Sequence, residues 1–209
     1  MQTEAARSEL APSPLAGRHR GAPVDWLIVG LGNPGSEYAG TPHNVGFEVA
    51  ERLSSRWALP KAKAKYSGLL TEGRAGPDGP RVAMLLPQTY MNDAGGSVGP
   101  ARGAFKVPLE RVLVLHDEIV LPFGEIRVRF GGGLAGHNGL KSLKAALGGA
   151  GFARVRVGVG RPPTTDPDRV AAYVLGRFRE PREEVALLVE QAADAAERVV
   201  LAGDPPDAQ

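Results

Sequence analysis

Trp26-Leu-Ile-Val-Gly-Leu31 runs into Gly32-Asn-Pro-Gly35, and the reading of this stretch decides the fold. Apolar, β-forming residues follow one another without polar alternation until a Gly/Asn/Pro cluster ends them, which predicts a short strand buried on both faces. A helix is expected next. Thr41 can cap it, Pro42 takes the first helical position, where a missing N–H costs nothing, and Val45, Val49, Ala50, Leu53 and Trp57 share one face. His43 then falls in the first turn. The connecting loop also contains Gly30-x-Gly32-x-x-Gly35, the spacing of a dinucleotide-binding turn. The context argues against that use, because Gly40-Thr41-Pro42 delays the helix whose N-terminus would have to meet a pyrophosphate. The acidic residue that should end a second strand is Glu51, which lies mid-helix.

Outward from this unit, Arg111-Val-Leu-Val-Leu-His116 reads as a second buried strand. It delivers Asp117 and Glu118 at its C-terminal end, where open α/β sheets bind ligands. Residues 66–72 and 81–86 flank a Gly/Pro/Asp-rich stretch, 73–80, and predict a hairpin. Residues 125–130 alternate, with Ile126, Val128 and Phe130 opposite Arg127 and Arg129; residues 153–160 do the same, with Val155 and Val157 opposite Arg154 and Arg156. Both arginine faces are expected to meet solvent or a partner. Glycines at 131–133 and 136 lead to a helix through Leu140, Leu143 and Leu147 that stops at Gly148. A last helix, 181–201, turns Val185, Leu188, Val189, Ala192 and Val199 inward and an acidic face to solvent. Strands interleaved with helices predict an α/β fold: a single three-layer domain with a mixed, mostly parallel twisted sheet and helices on both faces.

A chain of 209 residues is expected to form one domain that buries roughly 70% of its unfolded surface, so the core needs no staple. With no Cys, disulfides, thiolate metal clusters and cysteine nucleophiles are excluded, which suits a reducing, cytoplasmic setting. Apolar runs fall well short of the ~20 residues that span a bilayer, so no membrane partner is expected. Residues 1–23 are rich in Ala, Ser, Pro, Arg and Gly and lack the apolar stretch of a secretory signal. They are expected to be a disordered arm before a domain at 24–201 and a flexible tail at 202–209. The net charge of +2 and pI near 9.0 tilt only mildly toward acidic partners.

Nucleophile elbows, HExxH and Walker loops are absent from the sequence, which leaves few reactive groups. His116 sits on a buried strand facing away from Asp117 and reads as structural. His43 stands among polar loop residues and can meet a carboxylate from the end of a neighbouring strand. Asp117 accepting from one imidazole nitrogen would leave the other free to take a proton from water. Asn33, Asn92 and Asn138 lie in loops beside Gly or Met. Taken alone, each reads first as a turn residue and second as a polar contact for an ester carbonyl or ribose hydroxyl. Arg129 and Arg156 likewise read either as a solvated sheet face or as a phosphate clamp.

Five segments together carry a resemblance: Val29-Gly-Leu-Gly-Asn33-Pro-Gly, Thr41-Pro-His43-Asn44-Val-Gly-Phe, Pro87-Gln-Thr-Tyr-Met91-Asn92, His116-Asp117-Glu118 and Gly131-Gly-Gly-Leu-Ala-Gly-His137-Asn138-Gly-Leu-Lys141. In order and spacing, from Trp26 to about Val200, the chain resembles the bacterial peptidyl-tRNA hydrolases. The resemblance implies a monomeric hydrolase of translation and ribosome rescue that cleaves the ester joining peptide to the tRNA 3′ ribose, with no cofactor, no metal and no obligate protein partner. It implies His43 as catalytic base, Asp117 as its partner, and Asn33 and Asn92 as positioners of substrate and water. Tyr38, Met91, His137 and Asn138 would line the peptidyl end of the cleft. Arg129, Lys141 and Arg156 would hold the acceptor stem. Leu134, Ala135, Val120 and Asp93 depart from the residues usual at their positions, and none of them is catalytic. A rival expectation is a non-catalytic RNA-binding relative on the same fold.

Overall fold

The computed structural model describes residues 24–203; the expected arm at 1–23 and residues 204–209 of the expected tail lie outside them. One sheet of seven strands runs in the order β2-β3-β4-β1-β5-β7-β6, where β1 is Trp26–Gly30, β2 Lys63–Lys65, β3 Gly68–Arg74, β4 Arg81–Pro87, β5 Val112–Glu118, β6 Ile126–Phe130 and β7 Ala153–Gly158. The four central strands, β4, β1, β5 and β7, are parallel, β3 and β6 run antiparallel to them at the two sides, and β2 pairs antiparallel with β3 at the edge. Trp26 and Ile28 enter the core on one face, shared with the helices α1 (Val45–Arg56) and α5 (Arg182–Ala202). Leu27 and Val29 enter the other, covered by α2 (Gly95–Phe105) and α3 (Asn138–Leu147). The layered mixed sheet expected from the sequence is therefore present.

The unit that follows β1 differs in detail. Thr41 makes no cap; its hydroxyl donates to the Tyr38 carbonyl at 2.8 Å. Pro42–Asn44 forms a separate 3₁₀ turn ahead of α1. Helix α1 then lies directly on the sheet because Gly46 has no side chain: a Cβ there would run into the carbonyl oxygens of Leu31 and Leu115. Gly30, the first glycine of the loop motif, serves the same approach: a Cβ there would meet the Gly46 carbonyl oxygen at 2.6 Å.

Three elements had not been expected. β2 is a short, exposed Lys-Ala-Lys edge strand, joined to β3 through Tyr66 and Ser67 in left-handed conformation, so the hairpin strand begins at Gly68 and runs through Gly73 and Arg74. α2 carries Gly95, Gly96, Gly99 and Pro100, which oppose helix formation by propensity, yet Val98, Ala101 and Phe105 gain a buried face. Gly95 lets it sit against the Ser142 backbone. α4, Pro167–Leu175, starts where the Asp166 side chain accepts from Asp168 N and Pro167 stands at the first position. The Asp-Pro pair was a readable start signal.

The acidic face of α5 is not simple solvated surface. Glu190, Asp194 and Glu197 each meet the Arg56 guanidinium at 2.8 Å, and Glu197 also accepts from Trp57 Nε1 at 2.6 Å. These bonds tie the C-terminal helix to α1 from outside the apolar seam.

Candidate active site

Six segments converge at the C-terminal edge of the parallel strands. β5 ends by presenting Asp117, 3% exposed, on the face opposite His116. Across from it, the 3₁₀ turn brings His43, whose Nδ1 lies 3.0 and 3.1 Å from the two Asp117 oxygens. A carboxylate only accepts, so Nδ1 carries the proton and donates. His43 Nε2 has no hydrogen-bond partner among the described residues and faces a cleft of about 600 Å3.

Asn33 holds the site's loops together. Its backbone N–H donates to Asn44 Oδ1 and its carbonyl accepts from Asn44 Nδ2, both at 2.9 Å. Its side-chain oxygen accepts from Met91 N at 2.7 Å. Asn44, which lies in the second quoted motif, was overlooked as the other half of this clasp. Asn92 and Asn138 are exposed in the cleft wall, and Met91 is buried in it. Gly139 makes room for the Met91 sulfur, where a Cβ would approach to 2.5 Å. Tyr38 is not part of the lining; it is half-buried in the turn Ser36–Tyr38. The opposite wall is apolar, made by Ile119 and by Val170, Ala171, Val174 and Leu175 of α4, and the sequence reading assigned none of these.

His137, expected at the peptidyl end, lines the cleft, and both of its ring nitrogens are engaged within the protein. Its Nδ1 caps α3 by accepting from Leu140 N at 3.4 Å, which puts the ring proton on Nε2, and Nε2 donates to Asp117 Oδ1 at 3.0 Å. Asp117 thus receives two imidazole donors. His116 supports them from behind: its ring lies 5.0 Å from that of His137 and its Nδ1 donates to the Asp117 carbonyl at 2.7 Å. Burial alone would raise the Asp117 pKa, but the charges and hydrogen bonds of His43 and His137 outweigh it and hold the carboxyl far below its ordinary range. For His43, burial lowers the pKa, and the charge and hydrogen bond of Asp117 more than reverse it, for a net rise. His116 is pushed well down, first by burial, and stays neutral. Among the described residues, only His43, Asp117 and His137 gather three possible metal-binding atoms within 4.8 Å. Their mutual hydrogen bonds account for that closeness, and both ring nitrogens involved carry protons rather than free lone pairs.

The arginines depart from expectation. Arg156 does not project freely to solvent: its side chain is 12% exposed and its Nε donates to Glu118 Oε2 at 3.0 Å. Arg129 is half-buried, its guanidinium against Gly132. Arg154 is fully buried. The alternation was right and Arg127 is exposed as expected, but the glycine-rich segment 131–136 lies against Arg129 and Arg154 and Glu118 engages Arg156. Lys141 is exposed, and with Lys144 it flanks a groove beside Leu134 that includes neither Arg129 nor Arg156.

Comparisons with known proteins agree on one family. Residues 27–208 match the family model described as peptidyl-tRNA hydrolase. A peptidyl-tRNA hydrolase of Mycobacterium sp. (strain KMS) is 50% identical over 182 residues, 86% of this chain and 93% of that protein. One from Streptomyces coelicolor is 46% identical over 188 residues, 88% of this chain and 92% of its own length. Among solved structures, peptidyl-tRNA hydrolase from Acinetobacter baumannii superimposes with a TM-score of 0.75 at 38% identity, covering 85% of this chain and 89% of that one.

Proposed function

From the premise that this chain belongs to the peptidyl-tRNA hydrolase family, we propose that His43 and Asp117 form the base that hydrolyses the ester between a peptide and the 3′ ribose of tRNA. The observation that carries this assignment is the free His43 Nε2, opening on the cleft while Nδ1–H is held by a buried carboxylate. Nε2 takes a proton from water as the water oxygen attacks the ester carbonyl carbon. Asp117 stabilises the imidazolium that results. As the tetrahedral intermediate collapses, the bond from carbon to the ribose 3′ oxygen breaks. The same Nε2 returns its proton to that oxygen, so peptide acid and tRNA leave and the ring is neutral again.

Asn33 and Asn92 orient water and the ester, Asn138 contacts the peptidyl end, and the apolar wall of α4 faces the departing peptide. No step calls for a metal or an organic cofactor. Arg129 and Lys141 supply positive charge for acceptor-stem phosphates, and Arg156 joins them only by sharing or leaving Glu118. No helix among the described residues is long and apolar enough to cross a membrane. The proposed enzyme is monomeric and cytoplasmic, acts in tRNA recycling and has its working domain at 24–201.

The test is catalytic turnover. A trace of this protein should release peptide from many equivalents of peptidyl-tRNA. Stoichiometric binding without release would establish the non-catalytic RNA-binding reading in its place.

A further inference from the structure

We propose that Arg154 is a positioning residue for the hydrolytic step, its buried guanidinium holding the glycine-rich segment that delivers His137 and Asn138 to the cleft. The proposal rests on the assignment of His43 and Asp117 above. Arg154 is 1% exposed, and Nη1 donates to the Gly133 carbonyl at 3.0 Å while Nη2 donates to that of Gly131. Both acceptors belong to a glycine-rich segment that is otherwise held by Gly131 N–H donating to the Phe152 carbonyl at 3.1 Å, His137 N–H donating to the Leu134 carbonyl at 2.9 Å, and Leu134 packed against the core. Gly131, Gly132, Ala135 and Gly136 all have positive φ, and the glycines bring no side chains to pack. Immediately after it, His137 bonds Asp117 and opens α3, and Asn138 enters the cleft wall.

Arg154 is therefore two hydrogen bonds from the strand β7 to the loop, and the loop is one residue from the catalytic carboxylate's second donor. A fully buried arginine is costly unless its N–H groups are used. Here Nη1 and Nη2 bind loop carbonyls while Nε has no partner among the described residues, and the two neighbouring guanidiniums, Arg129 and Arg156, raise that cost further by repulsion. Arg154 cannot serve as a phosphate ligand from this position, which separates it from the acceptor-stem residues. Lysine in its place keeps the charge but loses the fork that reaches two carbonyls at once.

The experiment compares Arg154→Lys and Arg154→Met with wild type on peptidyl-tRNA and on a minimal N-blocked aminoacyl ester lacking the stem. A loosened loop should lower kcat on the order of 10–10²-fold on both substrates, since small misplacements near reacting groups have effects of that size, with KM for peptidyl-tRNA nearly unchanged. The His137 imidazole N–H proton seen by NMR should exchange faster with water in Arg154→Lys. His137→Gln should reproduce the kcat loss without affecting the Arg154 contacts. If folded Arg154→Lys keeps wild-type kcat on both substrates and the His137 signal is unmoved, Arg154 is only a structural residue and the proposal is wrong. A loss confined to KM on peptidyl-tRNA would also overturn it, making Arg154 part of tRNA binding. Failure of His43→Ala to reduce turnover would instead remove the premise.

Discussion

Asp117 does two jobs with one carboxylate: it orients His43 and it anchors His137. Because the His43 pKa is raised above its ordinary 6.5, the base form becomes available only at higher pH, and the acid limb of kcat/KM should have its midpoint above 6.5. Asp117→Asn removes the charge that raises it and leaves the burial that lowers it. The midpoint should therefore move down while kcat falls on the order of 10²–10⁴-fold, since the amide neither stabilises the imidazolium nor enforces the tautomer. A pH–rate profile of the variant checks both, and an unchanged midpoint would break the pair. Linkage adds a sign for stability. A carboxyl depressed below its ordinary 3.8 stabilises the fold above that pH and loses the contribution as pH falls beneath it. The contact between His43 and Asp117 was legible in the sequence because a polar His stood in a loop and an Asp ended a buried strand. The second imidazole was not, since no spacing reveals that the residue after a glycine run turns back to the same carboxylate.

At the scale of elements, the site depends on how closely α1 approaches the sheet. Gly46→Ala puts a Cβ against the Leu31 and Leu115 carbonyls, which cannot yield as side chains do. The helix must lift, at a cost of about 1–3 kcal/mol, and the turn carrying His43 lifts with it. Thermal unfolding should show the lower midpoint, and activity measured well below that temperature should fall too; a stable, fully active variant would show that the approach is dispensable. Central strands and α1, α3 and α5 were readable because unbroken or periodic apolar residues marked them. α2 was hidden by Gly95, Gly96, Gly99 and Pro100, whose local preference is overruled by burial of Val98, Ala101 and Phe105. β2 was hidden by being three residues of exposed edge, with lysines that blunt further pairing.

For the molecule as a whole, the question is how tRNA reaches this cleft. Sequence alternation placed arginines on one side of β6 and β7 but could not reveal that Arg129 and Arg154 meet the glycine-rich segment while Arg156 meets Glu118, since burial there depends on other segments. Arg129→Ala and Lys141→Ala should each weaken binding of peptidyl-tRNA and reduce the slope of log affinity against log salt by about one unit per lost phosphate contact. Turnover of a stemless ester should be spared, and titrations at several salt concentrations test this. Arg156→Ala should behave differently, because it also strips Glu118 of its partner beside Asp117. The central claim, that His43 is the base, is tested most directly by single-turnover hydrolysis of peptidyl-tRNA by His43→Ala. The rate should fall on the order of 10²–10⁴-fold with tRNA affinity unchanged, whereas hydrolysis near the wild-type rate would contradict the account.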